Sequence, residues 1–231
     1  MRGLGFGLCL LALAGCALLR PNPLNQHRGA LVLVFDSRTA GDLKGLREML
    51  SHYDARATFF AAGQITGSMA GSMLDLADDG HVVGLSGLRG VDPQKYTSLY
   101  GPQKYFQDEI LPQVLGAGNY GVSPRYYFLR LPEKKTRPET LKLPAFLVSK
   151  GFTGVVDLLP PHIPPTPVAS VSAFHAYRMT TNVFDRAQIA SLARRNEILI
   201  VAPDRQVLPE LLFEARAQGV PFATVADLAH R

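Results

Sequence analysis

Apolar residues gather in short runs separated by stretches of helical periodicity. Residues 30–35 (ALVLVF) are apolar without interruption, the pattern of a strand covered on both faces. Over 42–52, Leu43, Leu46, Met49 and Leu50 recur at helical spacing, and 57–62 (ATFFAA) supplies a second strand, so the chain opens with a β-α-β unit. A helix over 67–79 carries Met69, Met73, Leu74 and Leu76, and 81–85 forms a third strand. The rhythm then loosens. Strands are predicted at 126–129, 152–156, 197–202 and 221–225, and helices at 138–150, 186–195 and 208–218.

Strands alternating with helices over a whole domain predict an α/β fold with a parallel sheet of seven or so strands. Closure into a (β/α) barrel is the favoured arrangement and an open doubly wound sheet the competing one. Phe35-Asp36-Ser37-Arg38 after the first strand has no glycine pattern that would let backbone amides approach a nucleotide, which disfavours nucleotide binding. Two segments escape the rhythm. Residues 91–119 are rich in Gln and Tyr, and 158–168 hold five prolines, excluding helix or central strand and predicting an extended loop over one rim.

The N-terminus follows a different pattern. Residues 3–19 carry no charge, follow Arg2 and contain Leu13-Ala14-Gly15-Cys16, which resembles a bacterial lipoprotein signal peptide and so an address outside the fold. On this reading 1–15 is removed and Cys16 carries lipid. Residues 16–29 form a tether containing Pro21 and Pro23, and the domain spans 30–231. An uncleaved membrane helix is the alternative, although 17 residues lie at the low edge of the ~17–25 that span a bilayer. Cys9 and Cys16 are the only cysteines, so the domain has no disulfide framework. With 47% apolar and 19% charged residues among 231, the chain can bury one full core. A net charge of +5 is too mild to argue for nucleic acid.

In a parallel α/β domain the loops after the strands gather on one face, so polar residues just past strand ends are the first candidates for chemistry. Asp36, Arg130 and Asp204 hold such positions. Helix capping and structural ion pairs use the same positions.

Val34-Phe35-Asp36 resembles the opening Thr-Phe-Asp-Asp-Gly motif of NodB-type polysaccharide deacetylases. Ala57-Thr58-Phe59-Phe60 followed by Gly63 is similar to their Ala-Thr-Phe-Phe strand, and Gly80-His81-Val82-Val83-Gly84 to their Gly-His-Glu-Ile-Gly strand. Leu129-Arg130-Leu131-Pro132 resembles their Phe-Arg-Pro-Pro motif, and 198–228 their terminal strand, helix and strand. The resemblance covers nearly the whole domain and implies a distorted NodB-like (β/α) barrel. It also implies hydrolysis of an N-acetyl group on a glycan, helped by a divalent metal, often zinc. The metal polarises a carbonyl that is otherwise a poor electrophile.

Carried over residue by residue, the resemblance makes Asp36 the general base and Arg130 its orienting partner. Ser37 stands where a metal-binding Asp is expected, and Ser86 and Gly90 where two metal-binding His are expected. The late acid His falls on Pro203, beside Asp204, and Glu133 replaces an aromatic. The expectation is therefore a lipid-anchored envelope protein, on the periplasmic side of the outer membrane where the host has two. It would bind an N-acetylated glycan such as peptidoglycan or an exopolysaccharide, with no metal cofactor and without efficient catalysis, since a lone general base contributes only ~10²–10⁴-fold. An active deacetylase with a rearranged or metal-free site, served by His162 or His175 in the loop after the fifth strand, is the second reading. A non-catalytic assembly lipoprotein with an envelope protein partner is the third. Tyr127 and the aromatics Tyr96, Tyr100, Tyr105, Phe106, Tyr120 and Tyr126 suit stacking on sugar rings, with ordinary packing as the alternative. Arg130, Lys134, Lys135 and Arg137 form a basic cluster suited to an anionic partner or simply to water.

Overall fold

The structure, a computed structural model, describes residues 29–40, 42–130, 142–159, 173–180, 184–195 and 197–229. The segment read as a signal peptide, Cys16 and the residues up to 28, His162 and the Lys134 to Arg137 part of the basic cluster lie outside these. Among the described residues no helix is long and apolar enough to cross a membrane.

Among the described residues eight parallel strands are present: β1 Ala30–Asp36, β2 Thr58–Ala61, β3 Val82–Leu85, β4 Tyr126–Arg130, β5 Gly154–Leu159, β6 Ala173–Met179, β7 Ile198–Pro203 and β8 Phe222–Ala223. β1 to β7 follow one another in chain order around a nearly closed barrel, with β1 pairing both β2 and β7. The short β8 lies beside Leu31 and Val32, at the start of β1, while β2 pairs with Val34 to Asp36 at its end. The helices are α1 Ser37–Ala40, α2 Leu43–His52, α3 Gly67–Asp78, α4 Pro93–Tyr105, α5 Leu111–Gly118, α6 Leu143–Ser149, α7 Arg186–Arg195, α8 Leu208–Ala217 and α9 Val225–Ala229. A single π-helical turn, Phe106–Ile110, joins α4 to α5.

The two-residue period of each strand divides the core. Ala30, Val32 and Val34 of β1 pack with Phe60, Phe128, Val156, Phe174, Ala176 and Ile200 in a cluster drawn from all around the ring, which is the barrel interior. Leu31, Leu33 and Phe35 point the other way and meet Leu46 and Leu50 of α2 and Leu208, Leu211 and Leu212 of α8. A third cluster, with Leu85, Tyr127, Leu129, Val155, Met73 and Leu147, lies beneath α3, α5 and α6. The interior takes large rings because two strand positions lack side chains. A Cβ on Gly84 would stand 2.5 Å from the Tyr126 carbonyl oxygen and 2.6 Å from the Phe60 ring, and one on Gly154 would stand 2.6 Å from Phe174. Phe60 and Phe128 stack there with centroids 5.1 Å apart.

Among the described residues, α9 covers one end of the barrel. Val225 and Leu228 of α9 join the interior cluster, and Asp227 pairs at 3.6 Å with Arg56, just before β2. The functional candidates lie at the opposite end, where the strands finish.

Three expectations change here. Residues 91–119, left without elements, form α4, the π turn and α5. Asp92 caps α4 by accepting from Gln94 N and Lys95 N, and the helix kinks at Gly101, whose φ is 80°. Leu158 and Leu159, assigned to the proline-rich loop, extend β5, while 160–168 lie outside the described residues. His175 belongs to β6 and not to a loop, in register with Asp157 of β5. The strand forms because Phe174 and Ala176 alternate into the barrel interior, where both are buried.

Candidate functional site

β1 ends in Asp36, whose position shares the period of the inward-facing Ala30, Val32 and Val34. It is 4% exposed, a carboxylate at the barrel mouth held by local donors. Its Oδ1 accepts from Arg38 N at 2.9 Å, a turn that bends the chain into α1, and from the Ser86 hydroxyl at 3.4 Å. Ser86 follows β3 and is itself buried, its backbone N donating to Ala61 O at 2.8 Å. Asp36 and Ser86 thus meet across two strand ends. Ser37 turns elsewhere, its Oγ accepting from Ala62 N at 2.9 Å and fastening β1 to the end of β2.

Asp204 directly follows β7. Its N donates to Met179 O at 2.8 Å, and its own carbonyl accepts from Val207 N at 3.1 Å. The β1–β7 register pairs Leu33 with Val201, so carrying it on by three residues sets position 204 level with position 36. Arg130 is the last residue of β4, in register with Leu158. Asp36, Arg130 and Asp204 therefore all stand at strand ends on one end of the barrel.

Tyr127 requires a correction. It is wholly buried in the cluster beneath α3, α5 and α6, its ring edge-on to Phe152 and its hydroxyl 3.1 Å from that of Tyr105. It stands one position out of phase with the inward-facing Tyr126 and Phe128, so the strand's alternation sends it under the helices. Burial pushes the Tyr105 hydroxyl up to about 12 and that of Tyr127 well above its ordinary value, so both stay protonated near neutrality. Of the other aromatics, Tyr126 is also buried, whereas Tyr100 and Tyr120 are 61% and 47% exposed.

The structure adds a layer that the sequence did not disclose. The loop after β3 is held from beneath by α5 and the π turn. Gln113, fully buried, accepts from Gly87 N at 2.9 Å and donates to Gly63 O at 2.7 Å. Glu109, also fully buried, accepts from Arg89 N at 2.8 Å and from Arg89 Nε at 2.5 Å. Above this loop lies Arg38. Its Nη2 donates to Gly87 O at 2.7 Å, and its guanidinium lies so close over Gly90 that a Cβ there would stand 2.8 Å from Cζ. Arg38 occupies the position of the glycine in the motif that Asp36 opens. The only sequence signal for its reach was the pair Gly87 and Gly90, both at positive φ.

Among the described residues, those at the expected ligand positions do not suit a divalent metal. The three positions that the resemblance assigns to ligands hold a hydroxyl fastened to β2, a hydroxyl turned onto Asp36, and a glycine with a guanidinium against its face. Among the described residues no three His, Cys, Asp or Glu side chains come together to hold a metal ion.

No family model matches this sequence, and no curated protein matches it. Its fold does match solved structures. The family 4 carbohydrate esterase of Bacillus anthracis superposes with a TM-score of 0.57 at 16% identity, over 88% of this chain and 83% of that one. The catalytic domain of the peptidoglycan N-acetylglucosamine deacetylase from Eubacterium rectale gives 0.53 at 16%, over 85% and 88%. A mutant of a CE4 family pseudoenzyme with restored enzymatic activity gives 0.54 at 13%, over 87% and 68%. A nearly closed ring of parallel strands in chain order, together with these superpositions, gives this chain a fold like the NodB-like barrel of the CE4 polysaccharide deacetylases.

Proposed function

We propose that this chain is a glycan-binding member of the polysaccharide deacetylase fold, held at the cell envelope through a lipid on Cys16, that recognises an N-acetylated polysaccharide without hydrolysing it. The observation that carries the reading is the state of the barrel mouth. Asp36 is buried and oriented, while Ser37, Ser86 and Gly90 stand where the resemblance puts the ligands of a Lewis acid. Without one, the amide carbonyl keeps its poor electrophilicity and a carboxylate has no activated water to deprotonate. The same carboxylate suits binding, because a buried acceptor can take a hydrogen bond from a sugar hydroxyl or an acetamido N–H. Fold alone does not carry a substrate from one protein to another. It is the retention of Asp36 at the mouth, together with deacetylases of N-acetylated glycans among the similar structures, that supports this ligand class.

The test uses the full chain purified in detergent. Retention on insoluble N-acetylated polysaccharide, weakened by Asp36→Ala, with no acetate released in the presence or absence of added zinc, is the expected result. Acetate release abolished by Asp36→Ala would establish the active-deacetylase reading instead. Failure to bind any glycan, with an envelope protein co-purifying, would favour the assembly role. Labelling of the cell-expressed chain with a fatty-acid analogue, lost in Cys16→Ala, checks the anchor.

A further inference from the structure

The geometry points to Arg38 as a fixed cation at the barrel mouth, so that this site takes a carboxylate carried by the glycan where a divalent metal would otherwise be expected. The inference rests on the glycan-binding reading above and narrows it to acidic N-acetylated glycans.

Arg38 leaves α1 two residues after Asp36, and its own N is bonded to that carboxylate, so the base of the side chain is anchored. Its far end is anchored too. The Nη2 bond to Gly87 O spans from the end of β1 to the loop after β3. Gly90 provides the floor: a Cβ would stand 2.8 Å from Cζ and 2.9 Å from Nη1, closer than real Cβ contacts, and 3.0 Å from Nη2, so with the guanidinium in this position the absence of a side chain at 90 makes room for it. The φ of 70° at Gly90 independently favours glycine. The floor is rigid in turn, since Gln113 and Glu109 hold Gly87 and Arg89 from the fully buried layer below.

A guanidinium held this way is unlike a surface arginine that samples many rotamers. It has five N–H donors in a planar fork that matches a carboxylate in two places, and little side-chain entropy remains to be lost on binding. Arg38 is exposed, and among the described residues it forms no ion pair. Asp36 lies at the root of the same side chain with Ser86 donating to it, so one ligand could place a hydroxyl or acetamido N–H on Asp36 and its acid on the guanidinium. A divalent cation entering the same space would meet a fixed positive charge instead of a ligand.

The experiment is calorimetry on the full chain in detergent with three probes: zinc alone, a neutral N-acetylglucosamine tetramer, and an N-acetylated tetramer of equal length bearing carboxylates. The acidic tetramer is expected to bind about tenfold tighter than the neutral one at low salt, the excess fading as salt rises. Arg38→Met should bring the two tetramers to equal affinity, and Arg38→Lys should keep part of the difference. Zinc should give no stoichiometric binding. Equal affinities for the two tetramers, insensitive to salt and to Arg38→Met, would overturn this inference and leave the glycan reading standing. Stoichiometric zinc would overturn it by itself, and silence from both tetramers would remove both readings. Should Arg38→Met fail to fold, as judged by circular dichroism, the salt dependence of the unaltered chain decides.

Discussion

Gln113 and Gly87 are joined at the barrel mouth by a bond that no local sequence pattern announces: the buried amide oxygen accepts from the glycine N–H at 2.9 Å while its nitrogen donates to Gly63 O. Gly63 N returns a bond to Gly87 O at 3.0 Å, so one side chain from α5 locks the loops after β2 and β3 together. Gln113→Leu preserves volume but leaves the buried Gly87 N and the half-buried Gly63 O without this partner, a buried orphan being worth about 1–3 kcal/mol and a half-buried one less. A loss of about 2–4 kcal/mol in urea unfolding is expected, with binding of any mouth ligand weakened in parallel. A loss below about 1 kcal/mol would show that water substitutes for the amide.

Gly84→Ala tests the barrel interior. Backbone of β4 lies 2.5 Å from the added methyl and cannot retreat without breaking the ring, and Phe60 at 2.6 Å is stacked on Phe128 and cannot rotate freely. Overpacking of this kind costs about 1–3 kcal/mol, with more expected where backbone is the obstacle. Gly71→Ala on α3, where a Cβ meets nothing within 4 Å, is the control and should be neutral or slightly stabilising through helix propensity.

How much of this could be read along the chain depends on where each residue's partners lie. β1 and Arg186–Arg195 were legible because an uninterrupted apolar run and an apolar period state burial locally. Asp36 was legible because a charge ending such a run must stand at the strand's end. α4 and α5 were not, since the helix from Pro93 to Tyr105 has a Gly101-Pro102 kink inside it, and its Tyr96 and Thr97 turn their hydroxyls onto Asp108 and the Pro93 carbonyl instead of water. β6 was hidden because His175 and Arg178 interrupt its apolar alternation and the prolines of 158–168 draw attention to a loop. Tyr127 was misassigned for want of one residue of phase. Arg38 was invisible because its meaning comes from Gly90, which is silent about what it makes room for until the two loops are side by side.

The Tyr105–Tyr127 pair predicts alkaline sensitivity. Both hydroxyls ionise near pH 10 in the unfolded chain, whereas burial holds Tyr105 at about 12 and Tyr127 well above its ordinary value in the fold. Above pH 10 the folded state therefore keeps protons that the unfolded state releases, and the stability present below pH 10 is lost as pH rises. Each group contributes a slope of up to about 1.4 kcal/mol per pH unit. Tyr127→Phe should remove one such slope, measured as the shift of the urea midpoint between pH 9 and 11. Tyrosinate absorbance rising in the native protein at pH 10 from these two residues would contradict it.

His81 sets the opposite limit. It is 8% exposed at the head of β3, its ring lies edge-on to Phe59, and its Nδ1 accepts from Ala57 N at 3.2 Å. An accepting Nδ1 carries no proton, so the fold selects the neutral ring. Burial, the largest cause, lowers its tendency to protonate; Asp79 opposes this, and Arg47 and Arg56, each with a smaller effect than Asp79, add to the lowering. Acid must both charge a buried ring and break the bond that joins β3 to the start of β2. Because the folded affinity for the proton is lower than the unfolded one, the unfolded state binds more protons as pH falls below about 6.5, and stability is lost in that direction. His81→Asn retains an acceptor for Ala57 N but does not titrate there. Between pH 7.5 and 5 the unaltered chain should lose up to about 1.4 kcal/mol per pH unit more than the Asn variant, the other histidines cancelling in the comparison. Parallel curves for the two proteins would mean that His81 accepts its proton without opening the strand pair.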